Sequence, residues 1–147
     1  MDLQSKLLVV AAGWIIAAAV AFVAPPSSAL QAGDPAHGAS LFLQCRACHS
    51  VVRGAPNAVG PNLWGVVGSK AGARPGFAYS ASLTQTGITW EPRMLDRWLT
   101  QPTAVAPGTT MAFQGVASAQ SRADIIAYLT TLGGKASANT PVHRPAS

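Results

Sequence analysis

Cys45-Arg46-Ala47-Cys48-His49 gathers two thiols and an imidazole into one short run. The cysteines stand three positions apart, about one helical turn, so both sulfurs face the same side of a helix. That spacing lets them add to the two vinyl groups along one edge of a haem. It also carries the adjoining His49 under the ring, where its imidazole can bind iron, and C-x-x-C-H is read as a c-type haem attachment sequence. Three other chemistries compete for the same residues. A zinc site would need a second ligand pair, and the other histidines, His37 and His143, lack suitable spacing. A thioredoxin-like dithiol would need a βαβ context, which the chain does not show. A structural disulfide across two intervening residues is rare.

A candidate for the second iron ligand lies in Pro107-Gly108-Thr109-Thr110-Met111-Ala112-Phe113. The Pro-Gly pair fixes a turn, and Met111 lies in the loop beyond it, off any helical stripe. Met94 instead falls on an apolar helical stripe and reads as core. A neutral, polarisable thioether favours ferrous iron and raises the potential relative to two imidazoles. A closed His49/Met111 pair leaves no open coordination position, which points to electron transfer rather than oxygen or peroxide chemistry. The competing readings are a haem peroxidase or gas-binding sensor with a labile Met111, and a haem-free thiol or metal protein.

Three helices are predicted to position these groups. The first opens with Asp34 as N-cap and Pro35 at the first helical position, and carries Ala39, Leu41, Phe42 and Cys45. The second follows Thr89-Trp90-Glu91-Pro92, presents Met94, Leu95, Trp98 and Leu99 on one stripe, and is stopped by Pro102. The third starts at a capping-box-like Ser121-Arg122-Ala123-Asp124 and repeats Ile125, Tyr128, Leu129 and Leu132 until Gly133-Gly134. Between the first two lies Val51–Ile88, rich in Gly and Pro. So long a loop without its own regular structure must be held by something else, and a large apolar cofactor serves that purpose. No internal repeats are visible.

The 147 residues suffice for one domain. Hydrophobic residues make up 49% and charged residues only 10%, which excludes a disordered chain. Two cysteines exclude a disulfide-dense miniprotein. The net charge of +5 and pI near 9.9 come from basic residues scattered singly. That distribution argues against nucleic acid and suits docking to an acidic protein surface.

Leu7–Ala24 is uncharged, Pro25-Pro26 breaks it, and Ser27-Ser28-Ala29 offers the small residues an export peptidase reads. Residues 1–29 are therefore expected to be a signal peptide cleaved after Ala29, or else an uncleaved membrane anchor. Either places the rest of the chain across a membrane, in the bacterial periplasm. Two free thiols would not persist in that oxidising compartment unless something consumed them. The remaining boundaries are a domain over 30–134 and a polar tail over 135–147 predicted to be disordered.

Gly33–Leu132 resembles the class I cytochromes c, the family of mitochondrial cytochrome c and its soluble bacterial relatives. The resemblance is carried, in order, by Cys45-x-x-Cys48-His49, Gly60-Pro61-Asn62-Leu63-Trp64-Gly65 and Pro75-Gly76-Phe77-Ala78-Tyr79. Gly87-Ile88-Thr89-Trp90, Pro107 through Phe113, and Ile125-Ile126-Ala127-Tyr128-Leu129 continue it. It implies a small all-α fold, three main helices and long loops wrapped around one covalently bound haem c. It also implies that Cys45 and Cys48 tether the haem and that His49 and Met111 ligate its iron. The Pro61 carbonyl would accept from His49 Nδ1, Tyr79 and Trp90 would donate to a haem propionate, and Thr109 would sit near the other propionate. Gly38 and Phe42 would cross Ile125 and Tyr128.

The implied function is one-electron transfer by a monomer, not catalysis. Redox partners would be a cytochrome bc complex, a terminal oxidase, a photosynthetic reaction centre or a periplasmic dehydrogenase. The chain departs from the family pattern at Trp98, where a tyrosine is usual, at Leu83, which replaces a buried asparagine, and at Ser69, which replaces an arginine near a propionate. Lys70 and Lys135 are the only lysines beyond the export segment. Docking is accordingly expected to depend less on salt than in the lysine-rich mitochondrial protein.

Overall fold

Helix α1 (Pro35–Leu41) begins as the sequence dictates: the Asp34 carboxylate accepts from the N–H groups of Ala36 and His37, and Pro35 fills the first turn. A computed structural model describes residues 32–133; the export segment at 1–29 and the tail at 135–147 lie outside the described residues. After Leu41 the chain tightens into a 3₁₀ helix, Phe42–Ala47, rather than continuing α1 to Cys45 as the periodicity suggests. Such tightening is common at helix ends.

Beyond it come α2 (Ala81–Thr84), α3 (Pro92–Thr100), α4 (Pro102–Val105) and α5 (Ala119–Thr131). The structure is all-α: among the described residues there is no strand, only an isolated antiparallel bridge between Lys70 and Thr89. The single-turn helices α2 and α4 are additions to the three predicted ones, too short to leave a periodic signature. Pro102 acts in both directions, ending α3 and opening α4 at its first position.

The start of α5 differs from expectation. Its N-cap is Ser118, whose hydroxyl accepts from Ser121 N–H, so the helix begins about one turn before the supposed capping box. Asp124 is not a capping acid but a buried residue of the helix interior. Its carboxylate accepts from Asp34 N–H at 2.8 Å, His37 Nδ1 at 2.7 Å and Gln120 Nε2 at 2.8 Å, tying the start of α1 to α5. These contacts hold the Asp124 carboxyl below its ordinary pKa, the Asp34 N–H contributing most, then His37.

Helices α1 and α5 cross in close contact because Gly38 lacks a side chain. A Cβ there would lie 1.9 Å from the Asp124 carbonyl oxygen. One turn further on, Phe42 and Tyr128 meet with ring centroids 5.4 Å apart. Helix α3 packs on α5 through Leu95, Trp98 and Leu99, all buried, with Met94 half-buried beside them. Arg122 fastens the other side, donating to Asp96 at 2.7 Å and to the carbonyls of Val116 and Ala117.

The long loop has its own centre. Asn62, 4% exposed, donates from Nδ2 to the carbonyls of Val52 and Ala55, and its Oδ1 accepts from Trp64 N–H. Its backbone N–H donates to Asn57 Oδ1, and its carbonyl accepts from Arg74 Nε. One buried amide thus substitutes for the ladder a strand would have provided.

Candidate haem centre

The apolar residues that form the core do not close on one another. Phe42, Leu83, Trp90, Leu95, Trp98, Leu99, Ile125 and Leu129 are buried and also line a cavity of about 320 Å³. So many apolar side chains facing an open space lose their packing contacts unless a group fills it. The fold is therefore shaped around an occupant. A flat, largely apolar group with thiol-reactive edges and a metal fits what lines the wall.

All eight residues singled out from the sequence reach this cavity: Cys45, Cys48, His49, Pro61, Tyr79, Trp90, Thr109 and Met111. The 3₁₀ turn brings the cysteines there, Cys45 half-buried and Cys48 exposed. His49 N–H and Cys48 N–H both return to the Cys45 carbonyl, so the tripartite motif folds on itself. Burial, then the neighbouring Cys48 thiol, raises the Cys45 pKa, which disfavours a free thiolate. Among the described residues no group of three His, Cys, Asp or Glu side chains converges to hold a metal ion, so the zinc alternative lacks a ligand set there.

His49 is fixed from two directions. Its Nδ1 lies 2.8 Å from the Pro61 carbonyl oxygen, which makes Nδ1 the protonated nitrogen and leaves Nε2 free as a ligand. Its ring lies against Gly60, where a Cβ would come within 2.4 Å of Cε1. No larger residue fits without moving the imidazole.

Met111 comes from the opposite stretch of chain. A turn at Pro107-Gly108 closes with Thr109 N–H on the Ala106 carbonyl, and the Thr109 hydroxyl accepts from Met111 N–H at 3.3 Å. Beyond it Val116 N–H donates to the Leu99 carbonyl, fastening the loop to the end of α3. Met94, by contrast, does not line the cavity and packs against the core.

Trp90 and Trp98 meet edge to face, centroids 5.2 Å apart, and Phe77 meets Tyr79 likewise at 4.9 Å. Burial raises the Tyr79 pKa, with the Arg74 backbone N–H and then its charge acting against the rise, and a protonated phenol retains an O–H to donate. Ser69 donates its hydroxyl to the Val66 carbonyl. Sequence reasoning overlooked three residues here: Asn62 as hub, Gly60 as the seat for His49, and Arg74 on the cavity wall. Asn62 and Gly60 stand in a motif the sequence does display; the signal for Arg74 was only its place in a Gly/Pro-rich loop.

Among proteins of known identity, the chain is 50% identical over 109 residues to cytochrome c2 of Rhodomicrobium vannielii, covering 74% of this chain and 87% of that protein. It is 41% identical over 118 residues to cytochrome c-554 of Methylosinus trichosporium, covering 80% and 89%. The solved structure of cytochrome cH from Methylobacterium extorquens matches with a TM-score of 0.64 and 45% identity, covering 67% of this chain and 99% of that one. No family model matches the chain.

The fold and the attachment motif define a c-type cytochrome of class I, and the chain belongs to that family. It is accordingly an electron carrier rather than an enzyme, with one covalently bound haem c for which Cys45 and Cys48 provide the C-x-x-C-H sequence.

Proposed function

We propose that the protein shuttles single electrons in the periplasm, with His49 Nε2 and the Met111 sulfur as axial ligands and Cys45 and Cys48 as thioether anchors. The observation that carries the reading is that these four side chains, from two distant segments, line one apolar cavity. When bound, the haem supplies the Fe(II)/Fe(III) couple.

The chain supplies the rest. Pro61 and Gly60 hold the imidazole in one tautomer and one orientation, and the Pro61 contact raises its basicity. The Thr109 hydroxyl and the Pro107-Gly108 turn hold the Met111 backbone. Tyr79, Trp90 and Thr109 offer donors to the carboxylates of the haem, and the buried aromatic pair around Trp98 excludes water. With His49 and Met111 both holding the iron, no coordination position would stay open, so neither peroxide chemistry nor gas binding is favoured.

Export across the inner membrane is the reading of residues 1–29, and among the described residues no helix is long and apolar enough to cross a membrane. Its redox partners are drawn from a cytochrome bc complex, a terminal oxidase, a photosynthetic reaction centre and a periplasmic dehydrogenase. Sparse lysine predicts only a shallow fall of electron-transfer rate with ionic strength.

The deciding experiment is Met111→Ala in the exported protein. It abolishes the far-red ferric absorption band of methionine ligation and lowers the midpoint potential, while an alkaline pyridine spectrum still shows covalent haem. An unchanged oxidised spectrum and potential would overturn the ligand assignment. A mass spectrum of the mature protein reads haem attachment and cleavage after Ala29 together.

A further inference from the structure

Among the described residues the cavity wall carries two cations, Lys70 and Arg74, and no carboxylate. Lys70 is exposed, where water screens it; Arg74 is half-buried. Arg74 Nε donates to the Asn62 carbonyl at 2.9 Å and an Nη2 N–H donates to the Trp64 carbonyl. Of the five N–H groups of a guanidinium, these contacts use two, and the rest stay available. Carbonyl oxygens orient the guanidinium without neutralising it.

The ion pairs among the described residues are His37–Asp124 and Arg122–Asp96, and neither involves Arg74. A cation anchored and partly desolvated beside an apolar cavity is unfavourable unless an anion reaches it. The Tyr79 phenol lines the same wall; burial raises its pKa, and the Arg74 backbone N–H and then the Arg74 charge act against that rise. The occupant that the cavity fits brings two carboxylates of its own. Where the family pattern has an arginine near one of them, this chain has Ser69, whose hydroxyl is already committed to the Val66 carbonyl.

We propose that Arg74 is the charge partner of a haem carboxylate, taking from position 74 the part that position 69 has given up. The inference rests on the haem reading above. Its consequence is electrostatic. A fixed positive charge beside the haem destabilises the ferric form, which carries one more positive charge, and so raises the midpoint potential. The same charge keeps the carboxylate ionised, which removes its proton uptake from the working pH range.

The test is redox titration of holoprotein carrying Arg74→Gln, Arg74→Lys or Lys70→Gln. R74Q is expected to lower the equilibrium constant for reduction by roughly threefold to thirtyfold. It should also give the potential a pH dependence between about pH 5 and 8, falling as pH rises, because the carboxylate now takes up a proton on reduction. R74K, which keeps the charge, stays within about threefold of the parent, and K70Q, an exposed site, changes less than R74Q.

An R74Q protein with covalent haem and an unshifted, pH-independent potential would overturn the proposal, leaving Arg74 as a loop tie only. If R74Q does not assemble, R74K decides: a potential close to the parent's supports the charge role, and a fall as large as tenfold overturns it. Failure of the underlying haem reading is distinguishable, because it would show in the parent protein as a missing haem spectrum or far-red band.

Discussion

The crossing of α1 with α5 and the loop from Val51 to Ile88 are held by opposite means. At the crossing, backbones touch because Gly38 presents no side chain, Phe42, Ile125 and Leu129 pack beside it, and one buried carboxylate, Asp124, ties the two helices. In the loop, Val51, Val67 and Leu83 reach the core singly, and the chain between them is organised by Asn62, Arg74 and the cavity it surrounds. The first region depends mainly on shape, with one polar tie at Asp124, and the second on hydrogen bonds and an occupant. The helical frame therefore sets where the cysteines stand, and the loop sets how His49 is aimed.

Mutations separate the two regions. Gly38→Ala drives a methyl into the Asp124 carbonyl with no flexible side chain to yield, and should cost roughly 3 kcal/mol or more. The loss should be global, lowering hydrogen-exchange protection in α1, α5 and the loop alike. Loss confined to α1 would show that the crossing is not the centre of cooperativity.

Asn62→Ala leaves the Val52 and Ala55 carbonyls and the Trp64 N–H without partners, at roughly 2 to 3 kcal/mol. Exchange should accelerate in the loop while α1 and α5 stay protected. Equal acceleration everywhere would dissolve the distinction drawn above.

Gly60→Ala brings a methyl against the His49 ring, at about 1 to 2 kcal/mol, and its signature is spectroscopic: a weakened or shifted far-red band with helix content unchanged. A band identical to the parent's would mean that Gly60 does not seat the imidazole.

Asp124→Asn is the most confined change. The Asp124 pKa is depressed in the folded state, so its ionised form stabilises the protein above the ordinary value near 3.8, and that contribution is lost as pH falls through the lower folded value. The asparagine variant should be less stable at neutral pH yet lose less stability on acidification below about pH 4. Parallel acid-unfolding curves for the two proteins would remove Asp124 from the acid limb.

Much of this was legible in the residues themselves. Asp34-Pro35 fixed the start of α1, and the Leu95/Trp98/Leu99 stripe fixed α3, because capping and periodicity are local. The beginning of α5 misled for an equally local reason: Ser121 and Asp124 have the spacing of a capping box. The carboxylate was instead taken by Asp34 N–H and His37, partners some ninety positions away in sequence that no local pattern reveals. Helices α2 and α4 escaped because one turn is too short to show a period. Among the site residues, Cys45, Cys48, His49 and Met111 announce themselves by chemistry and spacing, whereas Arg74 looks like any basic loop residue until its surroundings are known.

The sequence by itself determined the attachment chemistry, since two thiols and an imidazole at fixed spacing permit few reactions. It also determined where the long helices fall, because helical periodicity is written residue by residue. Only the tertiary structure decided that Gly60 would press on His49, that a single amide would organise the loop, and that an arginine would line the cavity with no acid opposite it among the described residues. Those are meetings of segments distant along the chain, and their energies depend on burial and on which partners arrive, neither of which a linear pattern contains.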